Sequence, residues 1–178
     1  MKEDKMVFSV IFLVLPFCLI SAGLSDLFST MIPNRISVVL LGSFLLIAPF
    51  VGLGYEEIAL HVLVGLFVFI ACFFFFSVNI MGGGDAKLLT TASLWFGWNI
   101  SLLYFLFYVA IFGGILALVV LLIREITRYI PLLDKFVPRS FHMKNKIPYG
   151  VAISIGGLVS YPDSHLFKIA LEGISTSF

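Results

Sequence analysis

Two carboxylates stand out in a chain that carries few charges: Asp26, and Asp85 within the run Asn79-Ile80-Met81-Gly82-Gly83-Gly84-Asp85-Ala86-Lys87. Each lies at the edge of a long apolar stretch. An ionisable group there costs roughly a few kcal/mol, so both are candidates for chemistry before packing. Two aspartates brought near one another do not readily ionise together, and one keeps a proton. The ionised member can take a proton from water while the other donates to a scissile carbonyl, which is acid–base peptide hydrolysis. Such a pair titrates as a unit, and the sequence does not assign the proton to either residue. Three glycines ahead of Asp85 admit positive φ and the close approach of a second segment. Taken singly, each aspartate has a plainer reading: Asp26 as a solvated residue at headgroup level beside Pro33, and Asp85 as a helix N-cap.

No metal and no cofactor is expected at such a site. His61, His142 and His165 are far apart in sequence and form no ligand motif with neighbouring carboxylates. Cys18 and Cys72 are isolated inside apolar runs, so small buried thiols are expected instead of a zinc knuckle or a disulfide framework.

The elements that must position these residues are membrane helices. Hydrophobic residues make up 61% of the 178 and charged residues 12%, with mean hydropathy +1.13. A soluble domain carries roughly a quarter charged residues. The composition therefore calls for an all-α, polytopic membrane bundle forming a single domain, residues 1–178. A net charge of +1 excludes the basic field of a nucleic-acid binder.

Charge-free runs and breakers place about six spans, at 6–25, 36–53, 58–80, 87–98, 100–123 and 147–161, with a basic loop at 124–146. Pro33 ends the first helix by Ile32, and Asn34 starts the second by bonding to local backbone. Gly52, Gly54, Glu56 and Glu57 form a turn, and Gly82-Gly83-Gly84-Asp85 ends the third span. Residues 88–123 would make one straight helix of ~50 Å, too long for a single crossing. Trp95, Gly97, Trp98 and Asn99 supply the break, the paired tryptophans favouring the lipid–water interface. The fourth span is short, so the glycine segment beside it must lie recessed or in a water-filled notch. A short amphipathic helix on the membrane is expected within 162–178.

Six spans put Arg35, Lys87 and the six cations of the loop (Arg124, Arg128, Lys135, Arg139, Lys144, Lys146) on one side, against Lys2, Lys5 and Lys168 on the other. The positive-inside rule makes the first side cytoplasmic and both termini external. Reading the first segment as a cleaved signal, or the fourth as a re-entrant hairpin, would move the basic loop outside. Both readings are set aside on that ground. Asp26 and Asp85 then share the cytoplasmic face.

Gly82-Gly83-Gly84-Asp85 resembles the G-x-G-D motif of intramembrane aspartyl peptidases. Asp26 followed by Ile32-Pro33-Asn34 looks like the first catalytic block of type IV prepilin peptidases, and Ile147-Pro148-Tyr149-Gly150-Val151-Ala152-Ile153 is similar to the block entering their last span. The three blocks appear in family order. The resemblance implies an aspartic-type endopeptidase of the bacterial inner membrane that removes the basic leader of type IV prepilins or pseudopilins at the cytoplasmic face. Asp26 and Asp85 would be its catalytic pair, and type IV pilus assembly or protein secretion its setting, with the assembly machinery as a further partner. Size and spacing look like the short TadV/CpaA-like branch, which processes Flp-type prepilins; archaeal preflagellin peptidases share the two-aspartate logic. The cysteine-rich segment of larger members is missing, which argues against N-methyl transfer.

The surrounding residues have structural readings as well. Lys87 either lowers the pKa of Asp85 or anchors its helix to headgroups, with anchoring favoured. Pro33, Asn34, Gly82, Gly83 and Gly84 shape loops. Pro148, Tyr149 and Gly150 line the cleft, and the Tyr149 hydroxyl can reach a carboxylate. His61 belongs toward the outer face as a core or interface residue. The competing function is a non-catalytic membrane component of a pilus, secretion or transport assembly, with the aspartates serving helix packing or proton movement.

Overall fold

The computed structural model describes residues 2–129 and 147–175, and among these the chain is helical with no strand. Long apolar runs leave the backbone amides no partner in lipid but each other, and a helix satisfies them within one segment. In order, α1 (Lys2–Ser29), α2 (Asn34–Phe50), α3 (Tyr55–Ser77), α4 (Gly83–Ser93), α5 (Ile100–Tyr129), α6 (Tyr149–Ser160) and α7 (His165–Ser175) follow one another, a 3₁₀ turn at Tyr161–Asp163 joining the last two. Among the described residues, three segments are long and apolar enough to cross a membrane: Ile11–Ser29 of α1, α3 and α5. α2 is a shorter apolar helix of 17 residues. α4 has 11 and α6 has 12; at ~1.5 Å per residue α4 reaches only ~17 Å.

Several boundaries depart from expectation. α1 continues to Ser29, so Asp26 lies in its last turn instead of in a polar break. α3 stops at Ser77, short of residue 80, because Asn79 turns left-handed at φ +58°. The Asn79 N–H donates to the Phe76 carbonyl at 3.0 Å and the Ile80 N–H to the Phe75 carbonyl at 2.9 Å, the two bonds of a Schellman ending. Gly83, Gly84 and Asp85 form the first turn of α4 instead of a loop, and none of the three glycines has positive φ. α5 runs through Arg124 and Arg128 to Tyr129 where a loop was expected. Arg124, Glu125 and Arg128 are good helix formers, and no proline intervenes before Pro131. Lys135, Arg139, Lys144 and Lys146, expected in that loop, lie outside the described residues, as does His142.

The helices pack in two groups. α6 lies against α1 and α5, with α7 along α1; α4 lies against α3 and α2. The groups join where α1 meets α2 and α4 meets α6. Small residues let backbones approach closely: a Cβ at Gly156 of α6 would stand 2.7 Å from the Val109 nitrogen of α5. Phe96 and Phe105 stack with centroids 4.5 Å apart inside the core. Phe67, Phe73 and Phe74 of α3 and Leu118 and Leu122 of α5 are exposed, forming apolar surface suited to lipid. Cys18 and Cys72 are free and buried. The helix expected in the tail is α7; Leu166 and Ala170 are buried, and Phe167 meets Phe12 edge-on at 4.8 Å.

At the end of the bundle away from Asp85, the expected tryptophan pair divides. Trp98 is exposed, but Trp95 is fully buried and its indole N–H donates to the Leu40 carbonyl at 3.1 Å. It is a core residue and not an interfacial one. His61 is buried too, its Nδ1–H donating to the Leu94 carbonyl at 2.6 Å while the ring stacks on Phe44. Gly97 turns there at φ +65°, and a Cβ would stand 2.4 Å from His61 Nε2. Gly97→Ala combines a left-handed alanine with an overpacked ring, and should destabilise the protein by at least ~2 kcal/mol. A lowered midpoint of thermal unfolding in detergent is the check.

Candidate active site

Asp26 is 5% exposed, and its Oδ2 accepts a hydrogen bond from the Gly150 N–H at 2.7 Å. Gly150 is the second residue of α6, whose N-cap position is held by Pro148 without a side-chain cap. The first amides of a helix have no intrahelical acceptor and carry partial positive charge. The carboxylate of α1 thus occupies the N-terminal end of α6, far away in sequence. Nothing larger than glycine fits between them: a Cβ at Gly150 would stand 2.8 Å from Asp26 Oδ2 and 2.8 Å from Ile32 Cδ1.

Asp85 is the third residue of α4, where a first-turn carboxylate is favoured by the helix dipole. Its side chain folds back over Gly82, where a Cβ would stand 2.8 Å from Oδ2. The next glycines take close neighbours as well: Gly83 faces the Phe76 ring, and a Cβ at Gly84 would lie 3.3 Å from Ile32 Cβ. Close approach, not positive φ, is the use of this glycine run. Ile32 is therefore a wedge held between Gly84 of α4 and Gly150 of α6.

The chain leaves α1 through Thr30 at φ +53°, an unfavourable value for a β-branched residue. The Thr30 N–H donates to the Asp26 carbonyl at 2.9 Å, and Ser25 Oγ donates to the Met31 carbonyl at 2.8 Å. These bonds hold the turn that delivers Ile32 and Asn34 to the site.

Asp26 and Asp85 line one cavity of about 730 Å³, walled further by Asn34, Gly82, Gly83, Gly84, Pro148 and Tyr149. It sits at the seam between the two helix groups, with each group contributing one carboxylate. Residues 13–118, which include both aspartates, match the profile of the type IV leader peptidase family. The chain belongs to that family. Comparison with curated proteins and with solved structures finds no match. Membership implies a membrane-embedded peptidase of aspartic type acting on prepilin-type substrates.

Of the other residues expected in this leader peptidase, Pro33, Lys87 and Gly150 do not line the cavity. Pro33 is at the N-cap position of α2, and Asn34 is its first residue. The Asn34 carbonyl oxygen Oδ1 accepts from Lys87 Nζ at 3.0 Å, a bond across helices and not to local backbone. The Tyr149 ring lies against Gly113, where a Cβ would be 3.3 Å from Cε1, and the backbone amide one residue on is a donor to Asp26. Ile32, Thr30 and Asn79 also line the cavity; none was among the expected site residues, although Ile32 and Asn79 stand inside the stretches quoted with Asp26 and Asp85. Asn79 carried a readable signal, since asparagine is the commonest substitute for glycine at a left-handed helix end. Ile32 and Thr30 carried none.

Proposed function

We propose that this leader peptidase cuts prepilins of the Flp type between the basic leader and the apolar helix, at the cytoplasmic face of the bacterial inner membrane, with Asp26 and Asp85 as the catalytic pair. The observation that carries this reading is the shared cavity: two acids from separate helix groups face one space large enough for an extended peptide segment. In the reaction the ionised carboxylate takes a proton from water as the water oxygen adds to the scissile carbonyl carbon. The protonated partner donates to the carbonyl oxygen. Collapse of the tetrahedral adduct breaks the C–N bond, and the departing nitrogen takes up a proton to leave as an amine. The Gly150 N–H fixes one oxygen of Asp26 throughout, so that the carboxylate meets the substrate already oriented.

The substrate's form suits this site. A pilin helix is apolar and can lie against the exposed Phe and Leu faces of α3 and α5, while its leader is cationic and cytosolic. A helical amide is shielded, so the scissile bond has to be presented extended; glycine before the cut leaves helix readily. The excess of cations on the segments at the cavity end supports placing that end in the cytoplasm, with six spans and both termini outside.

Purified protein in detergent with a synthetic prepilin tests the reading. A single cut between leader and helix is expected, unchanged by EDTA. Absence of cleavage across the pH range would leave a non-catalytic assembly component, and loss in EDTA restored by zinc would make it a metal enzyme.

A further inference from the structure

A second groove, of about 380 Å³ and almost wholly apolar, opens beside the active-site cavity and shares Asn34 with it. Val38 and Leu41 of α2 and Phe69 of α3 form its walls, and all three are exposed. Lys87 also lines it. Its ammonium donates to Asn34 Oδ1 and makes no ion pair among the described residues. The first turn of α2 beside it has no acidic residue, and Arg35 there is exposed. Thr90, also in the wall, holds a buried hydroxyl without a hydrogen-bond partner among the described residues. Such orphans ask for an explanation, and rotation about Cα–Cβ would offer this one to an acceptor in the groove.

A cation in the wall of an exposed apolar groove suits an amphiphile with an anionic head and a hydrocarbon tail. We propose that the groove is a binding site for an anionic phospholipid. The phosphate sits on Lys87 at the first turn of α2, one acyl chain runs along Val38, Leu41 and Phe69, and an ester carbonyl reaches the Thr90 hydroxyl. An acidic side chain on a substrate helix could also meet Lys87. The lipid is favoured because the groove walls are exposed apolar side chains and the charge is unmatched within the described residues. The site is separate from the proposed peptidase chemistry and stands whether or not that chemistry holds.

Native mass spectrometry of the full chain, released from detergent with equal phosphatidylglycerol and phosphatidylcholine, tests it. Retention of phosphatidylglycerol is expected to exceed that of phosphatidylcholine about fivefold, the ratio for one well-placed cation. Lys87→Gln should bring the ratio to parity, and Leu41→Trp should lower phosphatidylglycerol retention by filling the groove with Lys87 intact. Lys168→Gln, an exposed cation of α7, should leave the ratio unchanged. No preference in the unaltered chain, or a preference that survives Lys87→Gln, overturns the proposal. If Lys87→Gln spares lipid retention and weakens binding of an acidic prepilin helix alone, the groove holds substrate and the proposal also falls.

Discussion

Asp26→Asn and Asp85→Asn are each expected to reduce leader removal by ~10²–10⁴-fold, the range for loss of a positioned acid or base. Asparagine preserves shape, and at position 26 its carbonyl oxygen can still accept from the Gly150 N–H. Both variants should therefore insert in the membrane and unfold near the temperature of the unaltered protein. The double variant should be scarcely worse than either single one, because the two groups act on the same proton transfers. Cleavage of a synthetic prepilin, followed by mass, reads all three. Undiminished cutting by either single variant would remove Asp26 and Asp85 from the mechanism.

The second large effect is expected from a single methyl group. Gly150→Ala places carbon 2.8 Å from Asp26 Oδ2, 2.8 Å from Ile32 Cδ1 and 2.9 Å from Asp26 Cβ. Neither neighbour is free to swing aside, since Asp26 is buried and Ile32 is lodged against Gly84. Overpacking of this kind costs ~1–3 kcal/mol. A carboxylate displaced by about 1 Å can lose ~10²-fold in rate. Gly114→Ala is the control, because a Cβ there meets nothing within 4 Å. The expected result is a drop in both unfolding temperature and turnover for Gly150→Ala and neither for Gly114→Ala. Full activity in Gly150→Ala would mean that the close contact of α6 with Asp26 does not matter for catalysis.

The helical class and the run of apolar segments were legible in the sequence because lipid tolerates few alternatives. The common end of Asp26 and Asp85, which share one cavity, was legible too, since each stands at the boundary of an apolar run. What stayed hidden was decided by backbone and by tertiary fit. The bond from Gly150 to Asp26 uses an amide that every residue except proline possesses, so no residue type announces it. The stop at Asn79 was masked by Val78, Ile80 and Met81, whose apolar character prolongs the apparent span beyond the Schellman turn. Three glycines read as a loop, but once Ile32 and Phe76 press against them they form a helical turn. Trp95 resembled an interfacial anchor until its N–H found the Leu40 carbonyl inside the core.

The short helix α4 is tethered at its far end by Trp95 on Leu40, by the Leu94 carbonyl on His61 and by the Leu94 side chain against Gly65. Those fastenings make α4 a ruler whose zero mark is ~15 Å from Asp85, with each residue advancing ~1.5 Å and turning ~100°. An inserted or deleted residue between 86 and 93 has no slack to absorb it at the tethered end. The whole error would emerge at Asp85, turned away from the cavity it shares with Asp26. Chain length in this stretch is thus as tightly constrained as the identity of the acid itself.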